Sequence, residues 1–132
     1  MQDIDVIKQV YSCLNRADVD GMMKLLDANI LRKEDEDFPG AGTYRGHAEM
    51  RPHIIKGTSS WAEGACEPIE FFTNGNKVVV TVHVHVRLKN ETNWIDAKIA
   101  DGFVVKDGLV TEFHTFGSKE KAFKWAAISA NT

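Results

Sequence analysis

Residues 93–116, NWIDAKIADGFVVKDGLVTEFHTF, decide the fold. Two apolar stretches flank Lys106-Asp107-Gly108, a sequence suited to a tight turn, so the segment reads as two antiparallel strands. In the first strand Ile95, Ala97, Ile99, Phe103 and Val105 fall at every second position and share one face. Asp101 sits in the middle of that face. A carboxylate in low dielectric is costly unless it is paired, hydrogen-bonded or kept protonated by a raised pKa. Asp101 is therefore the first candidate for a site.

The same period of two extends upstream. Glu67 to Thr73 reads as a strand, Asn74-Gly75-Asn76 as a hairpin turn, and Lys77 to Lys89 as a long strand. Its Val78, Val80, Val82, Val84 and Val86 lie on one side; Val79, Thr81, His83, His85 and Arg87 lie on the other. Further back the period is helical. Asp3 or Asp5 can cap a helix carrying Ile4, Ile7, Val10, Tyr11 and Leu14 as far as Arg16, and Asp18 can cap a short second helix. Asn29 to Arg32 suggests a first strand, the acidic Glu34-Asp35-Glu36-Asp37 a loop ahead of Phe38-Pro39-Gly40, and Gly46 to about Ser60 a third helix disturbed by Pro52. Ser118 caps a closing helix with Ala122, Phe123, Trp125, Ala126 and Ile128. Helices followed by a curled antiparallel meander predict an α+β domain spanning residues 1–132.

The bulk numbers narrow the functions. A chain of 132 residues with 27% charged side chains and a net charge of −3 suits one soluble domain and offers no basic field for nucleic acid. The start MQDIDVIKQ is charged and has no long apolar run behind it, which predicts neither a signal peptide nor a membrane span and places the protein in the cytoplasm. Cys13 and Cys66 are too few and too distant for a disulfide framework and read as small buried hydrophobes.

With these elements in place, the phrases VYSCLNRADVDGMMKLLD, TYRGHAEM and ADGFVVKDGLVTEFHTFG resemble the nuclear-transport-factor-2-like superfamily, in its SnoaL-like and ketosteroid-isomerase branch. The resemblance implies a cystatin-like, NTF2-like cone: a strongly bent sheet wrapped by the N-terminal helices, with a ligand cavity between them and a homodimer formed through the outer sheet face. That face would carry Thr81, His83, His85 and Arg87. On the pattern of the steroid isomerases, Tyr11 matches a tyrosine of the oxyanion hole. Asp101 matches the protonated aspartic acid beside it, a carboxyl held neutral by an apolar site. The general base falls at Glu34, with Asp35 or Asp37 reachable by a small shift of register. The resemblance turns Glu112, His114 and Phe116 into the cavity, making it more polar than a steroid needs; polyketide cyclases of this fold use aspartate with histidine, which His114 permits. Epoxide hydrolases of the fold carry arginine two residues before the aspartate, where this chain has Ile99.

Two readings follow. In the first, Tyr11 and Asp101 stabilise an enolate oxygen while a carboxylate from Glu34 to Asp37, or His114, moves a proton next to a carbonyl. Phe38, Trp61, Val82, Val84, Phe103, Glu112 and Phe116 would then line the cavity around a small apolar-to-amphipathic molecule. The expected activity is an isomerase or cyclase working without cofactor or metal. In the second, the domain is a non-catalytic homodimer binding a ligand or protein, and Asp101 serves stability. His47 and His53 read as rim surface residues. His83-Val84-His85 has the spacing of a zinc chelate, yet no third ligand is evident, so metal is not expected.

Overall fold

The computed structural model describes residues 2–129. Its elements run α1 (Asp3–Asn15), α2 (Val19–Met23), β1 (Leu26–Glu34), β2 (Gly42–Arg45), α3 (Gly46–Ser59), β3 (Trp61–Asn74), β4 (Lys77–Leu88), β5 (Ile95–Lys106), β6 (Leu109–Phe116) and α4 (Lys119–Ala126). The sheet order is β2-β1-β6-β5-β4-β3. Every neighbour is antiparallel except β1 and β6, which run parallel. This single parallel seam joins the N-terminal half of the chain to its last strand, and it carries the site described below.

The valine row does what its period predicts. Val78, Val80 and Val82 are buried with Val6, Ile7, Val10 and Tyr11 of α1, Met22 and Met23 of α2, and Met50 and Ile54 of α3. These residues form the inner core between the helices and one face of the sheet. The outer face divides in two. One end is covered by α4, whose Ala122, Phe123 and Ala126 pack on Val79 and Ala100. Gly102 is required there, because a Cβ at this position would lie 2.6 Å from the Trp125 ring. The other end holds Thr81, His83, His85 and Arg87 uncovered by any helix.

Local signals explain the joints. Asp18 accepts a hydrogen bond from Gly21 N, and Ser118 one from Lys121 N, so both expected caps are present. The cap expected at Asp3 or Asp5 is not: α1 starts after Gln2, which makes no side-chain cap, and both aspartates fall in the first turn, where they favour the positive end of the helix dipole. Asp107 and Gly108 have φ of 52° and 79°, the left-handed pair that a two-residue hairpin turn demands. The Asn15 side chain donates to Cys66 O and accepts from Cys66 N, stitching the end of α1 to β3. Gly42–Arg45 is an edge strand paired to Leu31–Glu34. Among the described residues no helix is long and apolar enough to cross a membrane.

Candidate functional site

The register of three strands sets one polar row across the inner face. Glu34 pairs with Thr115, Thr115 with Asp101, and Asp101 with Val80. Paired residues point to the same side. Glu34 and Asp101 are thus two strand spacings apart, about 10 Å, with Thr115 between them. The neighbouring row is Arg32, Phe113, Phe103 and Val78.

Asp101 is buried at 3% exposure, and both of its oxygens are engaged. The Tyr11 hydroxyl donates to Oδ2 at 2.5 Å and the Thr115 hydroxyl to Oδ1 at 2.7 Å. Burial pushes the Asp101 carboxyl above its ordinary range; the Arg32 guanidinium and the two hydroxyl donors oppose this without cancelling it. Burial, followed by the charge of Asp101, likewise raises Tyr11 well above the ordinary phenol range. Tyr11 lies edge-on to Phe103, Phe103 stacks on Phe113, and the Arg32 guanidinium sits 4.0 Å over the Phe113 ring. At Asp101 the space between helix and sheet is therefore filled by side chains.

Glu34 opens the row toward solvent. Its side chain is 15% exposed, with Oε1 3.2 Å from Arg32 Nη2 and Oε2 2.7 Å from His53 Nε2. The His53 contact is close but off the hydrogen-bond axis, leaving buried Oε2 without an aligned donor. Burial alone would raise Glu34; the His53 imidazole and the Arg32 guanidinium outweigh it and hold the carboxyl below its ordinary range. His53 stacks on Tyr44 at 3.8 Å, and Tyr44 donates to Gly40 O. Gly40 is fixed by this packing, since a Cβ would meet Glu34 Oε2 at 2.5 Å.

Sequence expectation and structure part at several residues. Asp35 accepts from Gly117 N and lies near Lys121, and Asp37 is exposed beside the same lysine, so Glu34 alone of the acidic run joins the row. His53, read as a surface residue, is part of the site; His47 instead contacts Leu26 O. Glu112, His114 and Phe116 do not face Asp101. His114 contacts Glu112 at 2.9 Å and stacks with Phe116 and Trp125 on the α4 side of the sheet. Burial there lowers the His114 pKa against the pull of Glu112.

The cause is a one-residue bulge. Lys106 pairs with Leu109 and Val105 with Val110, but Val104 pairs with Glu112, leaving Thr111 as the extra residue. Thr111 Oγ1 donates to Val104 O across the irregularity. Counted without the bulge, Asp101 would face His114; with it, Asp101 faces Thr115, and every later side chain on β6 changes sides.

Of the expected lining, Val82 and Phe103 are core residues and Val84 packs partly against that core, while Phe38 is half-buried in the loop after Glu34. Trp61 stands elsewhere, in an open depression of about 250 Å³ with Leu14, Asn15 and Thr58. Cys13 and Cys66 are free, and burial pushes the Cys66 thiol up to about 12, so it stays protonated at neutral pH. Arg32 and Thr115 were missed from sequence because the β1–β6 pairing that aligns them is non-local, and Tyr44 and His53 because they reach Glu34 only through the β1–β2 pairing and the packing of α3.

Comparison with known proteins places this geometry. TerC, crystallised with polyporic acid, superposes with a TM-score of 0.76 at 20% identity over 93% of this chain and 95% of its own. An NTF2-like protein of unknown function from Burkholderia pseudomallei gives 0.78 at 19% identity, covering 96% and 98%. A protein of ketosteroid isomerase-like fold from Catenulispora acidiphila, in complex with trimethylamine, gives 0.76 at 9% identity, covering 96% and 95%. At these identities the likeness is one of fold. No curated protein is significantly similar to the sequence. The family model of the SnoaL-like domain matches residues 7–113, and the chain belongs to that family.

Proposed function

We propose that the protein binds a small carbonyl compound at the inner row and moves a proton next to its carbonyl, as an isomerase or cyclase would. The observation that carries this reading is the alignment of Glu34, Thr115 and Asp101 on one face, with Tyr11 on the far carboxyl oxygen. A protonated Asp101 and the Tyr11 hydroxyl can both donate to one oxygen atom, replacing the bond they now make to each other. Glu34 is held ionised, the form a base needs. His53 and Arg32 would hold the Glu34 carboxylate in place, and the Glu34 end of the row, nearer to solvent than Asp101, gives the route of entry.

A second reading is favoured by the depth of the pair. Tyr11 and Asp101 are 2% and 3% exposed and satisfy each other, as expected of a domain that binds without turnover or uses the pair for stability. A series of phenols of graded acidity separates the readings, because a phenolate mimics an enolate oxygen. Affinity that rises with phenol acidity and falls in Tyr11→Phe and Asp101→Asn is the expected result. Binding that ignores acidity and survives both substitutions supports the passive domain, and absence of binding overturns the oxyanion site. Hydrogen–deuterium exchange beside the carbonyl of cyclic ketones, lost in Glu34→Gln, then distinguishes catalysis from binding.

A further inference from the structure

The open end of the outer sheet face carries a second cluster that the proposed reaction does not use. His83 and His85 point to the same side of β4, and Asp96 of β5 pairs directly with His85 in the ladder. Sequence alone offered two imidazoles; the β4–β5 register supplies the third group. We propose that His83, His85 and Asp96 form a binding site for a divalent late first-row cation of the zinc(II) type.

The geometry comes first. Asp96 Oδ1 lies 2.6 Å from His83 Nε2 and Oδ2 lies 3.4 Å from His85 Nδ1, and the three ligand atoms all fall within 4.8 Å of one another. Zinc takes imidazole nitrogen and carboxylate oxygen at about 2.0–2.2 Å, so the groups need rotate only modestly to enclose one ion. All three side chains are half-exposed or exposed, while their Cα atoms are fixed by adjacent strands. Ligands held on strands are placed more accurately than ligands on loops.

The chemistry selects the ion. Two imidazoles with one carboxylate suit zinc, nickel and copper; calcium and magnesium want all-oxygen shells. Trp94 stacks on His85 with ring centroids 4.4 Å apart and an interplanar angle of 13°, which restrains that imidazole. Glu67, across from His83 on β3, lines the same open depression of about 250 Å³. The site lies on the face opposite Asp101, so its success or failure is independent of the proton-transfer reading.

The test is zinc(II) titration by calorimetry on the intact chain, with quenching of Trp94 fluorescence by nickel(II) as a local readout. The expected result is one ion per chain, not displaced by excess magnesium, and quenching that disappears in Trp94→Phe. Loss of a second-shell partner alone costs 10–100-fold, so His83→Gln and His85→Gln should each weaken zinc by about tenfold or more. Asp96→Asn should weaken it as well. Because these side chains are at the surface, circular dichroism should show all variants folded. The proposal is overturned if the wild type binds no more tightly than the doubly substituted His83→Gln/His85→Gln chain. It is also overturned if Asp96→Asn binds zinc as well as the wild type, which would leave a bare two-imidazole chelate.

Discussion

Strand β5 carries two aspartates five positions apart, and the odd spacing sends them to opposite faces. Asp101 faces the helices, and burial raises its pKa despite two hydroxyl donors and a nearby guanidinium. Asp96 faces water; its hydrogen bond with His83 and the charge of the two imidazoles outweigh desolvation and lower its pKa. The two residues have the same chemistry and the same strand. What differs is the medium, and the comparison shows that one sheet can raise the pKa of a carboxyl on one face and lower that of the same side chain on the other.

The strongest way to break the contrast is to remove the inner carboxyl. Asp101→Leu strands the Tyr11 and Thr115 hydroxyls without acceptors, each at a cost of about 1–3 kcal/mol, whereas Asp101→Asn keeps a partner for both and should lose clearly less. Urea denaturation of the two variants checks this, and equal losses would mean that the hydroxyl network contributes nothing. Gly102→Ala attacks the outer face under α4. Its methyl group drives into Trp125, and overpacking of this kind costs about 1–3 kcal/mol; the Trp125 fluorescence should shift while phenol binding at the inner row persists.

Titration sharpens the comparison through opposite signs. A carboxyl raised in the folded state contributes stability that is fully present below the ordinary carboxylate range, about pH 4, and is lost as pH rises. A lowered carboxyl contributes stability present above that range and lost as pH falls through its folded value. In chelator-treated buffer, the stability of wild type minus Asp101→Asn should therefore fall with rising pH, by at most about 1.4 kcal/mol per unit. Wild type minus Asp96→Asn should rise across the acid side. Slopes of the same sign would sink the contrast. The smallest effect is expected from Thr115→Val, which removes one donor to Asp101 at about 0.5–1.5 kcal/mol and should steepen the Asp101 slope.

The elements themselves could be read from the chain because local physics made them. The valine row needed only a period of two, the Asp107-Gly108 turn its left-handed pair, and Asp18 and Ser118 their capping oxygens. Asp101 stood out because a strand face carried a carboxyl out of pattern, whereas Tyr11 was joined to it only through the resemblance to the steroid isomerases. The rest depended on register between distant segments. Arg32 and Glu34 reach the site through a parallel seam with β6, more than 75 residues later in the chain, and no local periodicity encodes that pairing. Asp96 becomes a partner of His85 only once the strands on either side of the 89–94 loop are aligned.

Thr111 is the residue on which this register turns. β6 stores two alternative sets of side chains: Phe113 and Thr115 on one side, Glu112, His114 and Phe116 on the other. Which set meets the buried acid is chosen by a single inserted residue next to the turn, with no substitution in the site itself. A one-codon deletion at Thr111 would exchange a hydroxyl for an imidazole beside Asp101 in one step. The side chain that meets the buried acid is thus set by the length of the final hairpin as much as by the residues of the site.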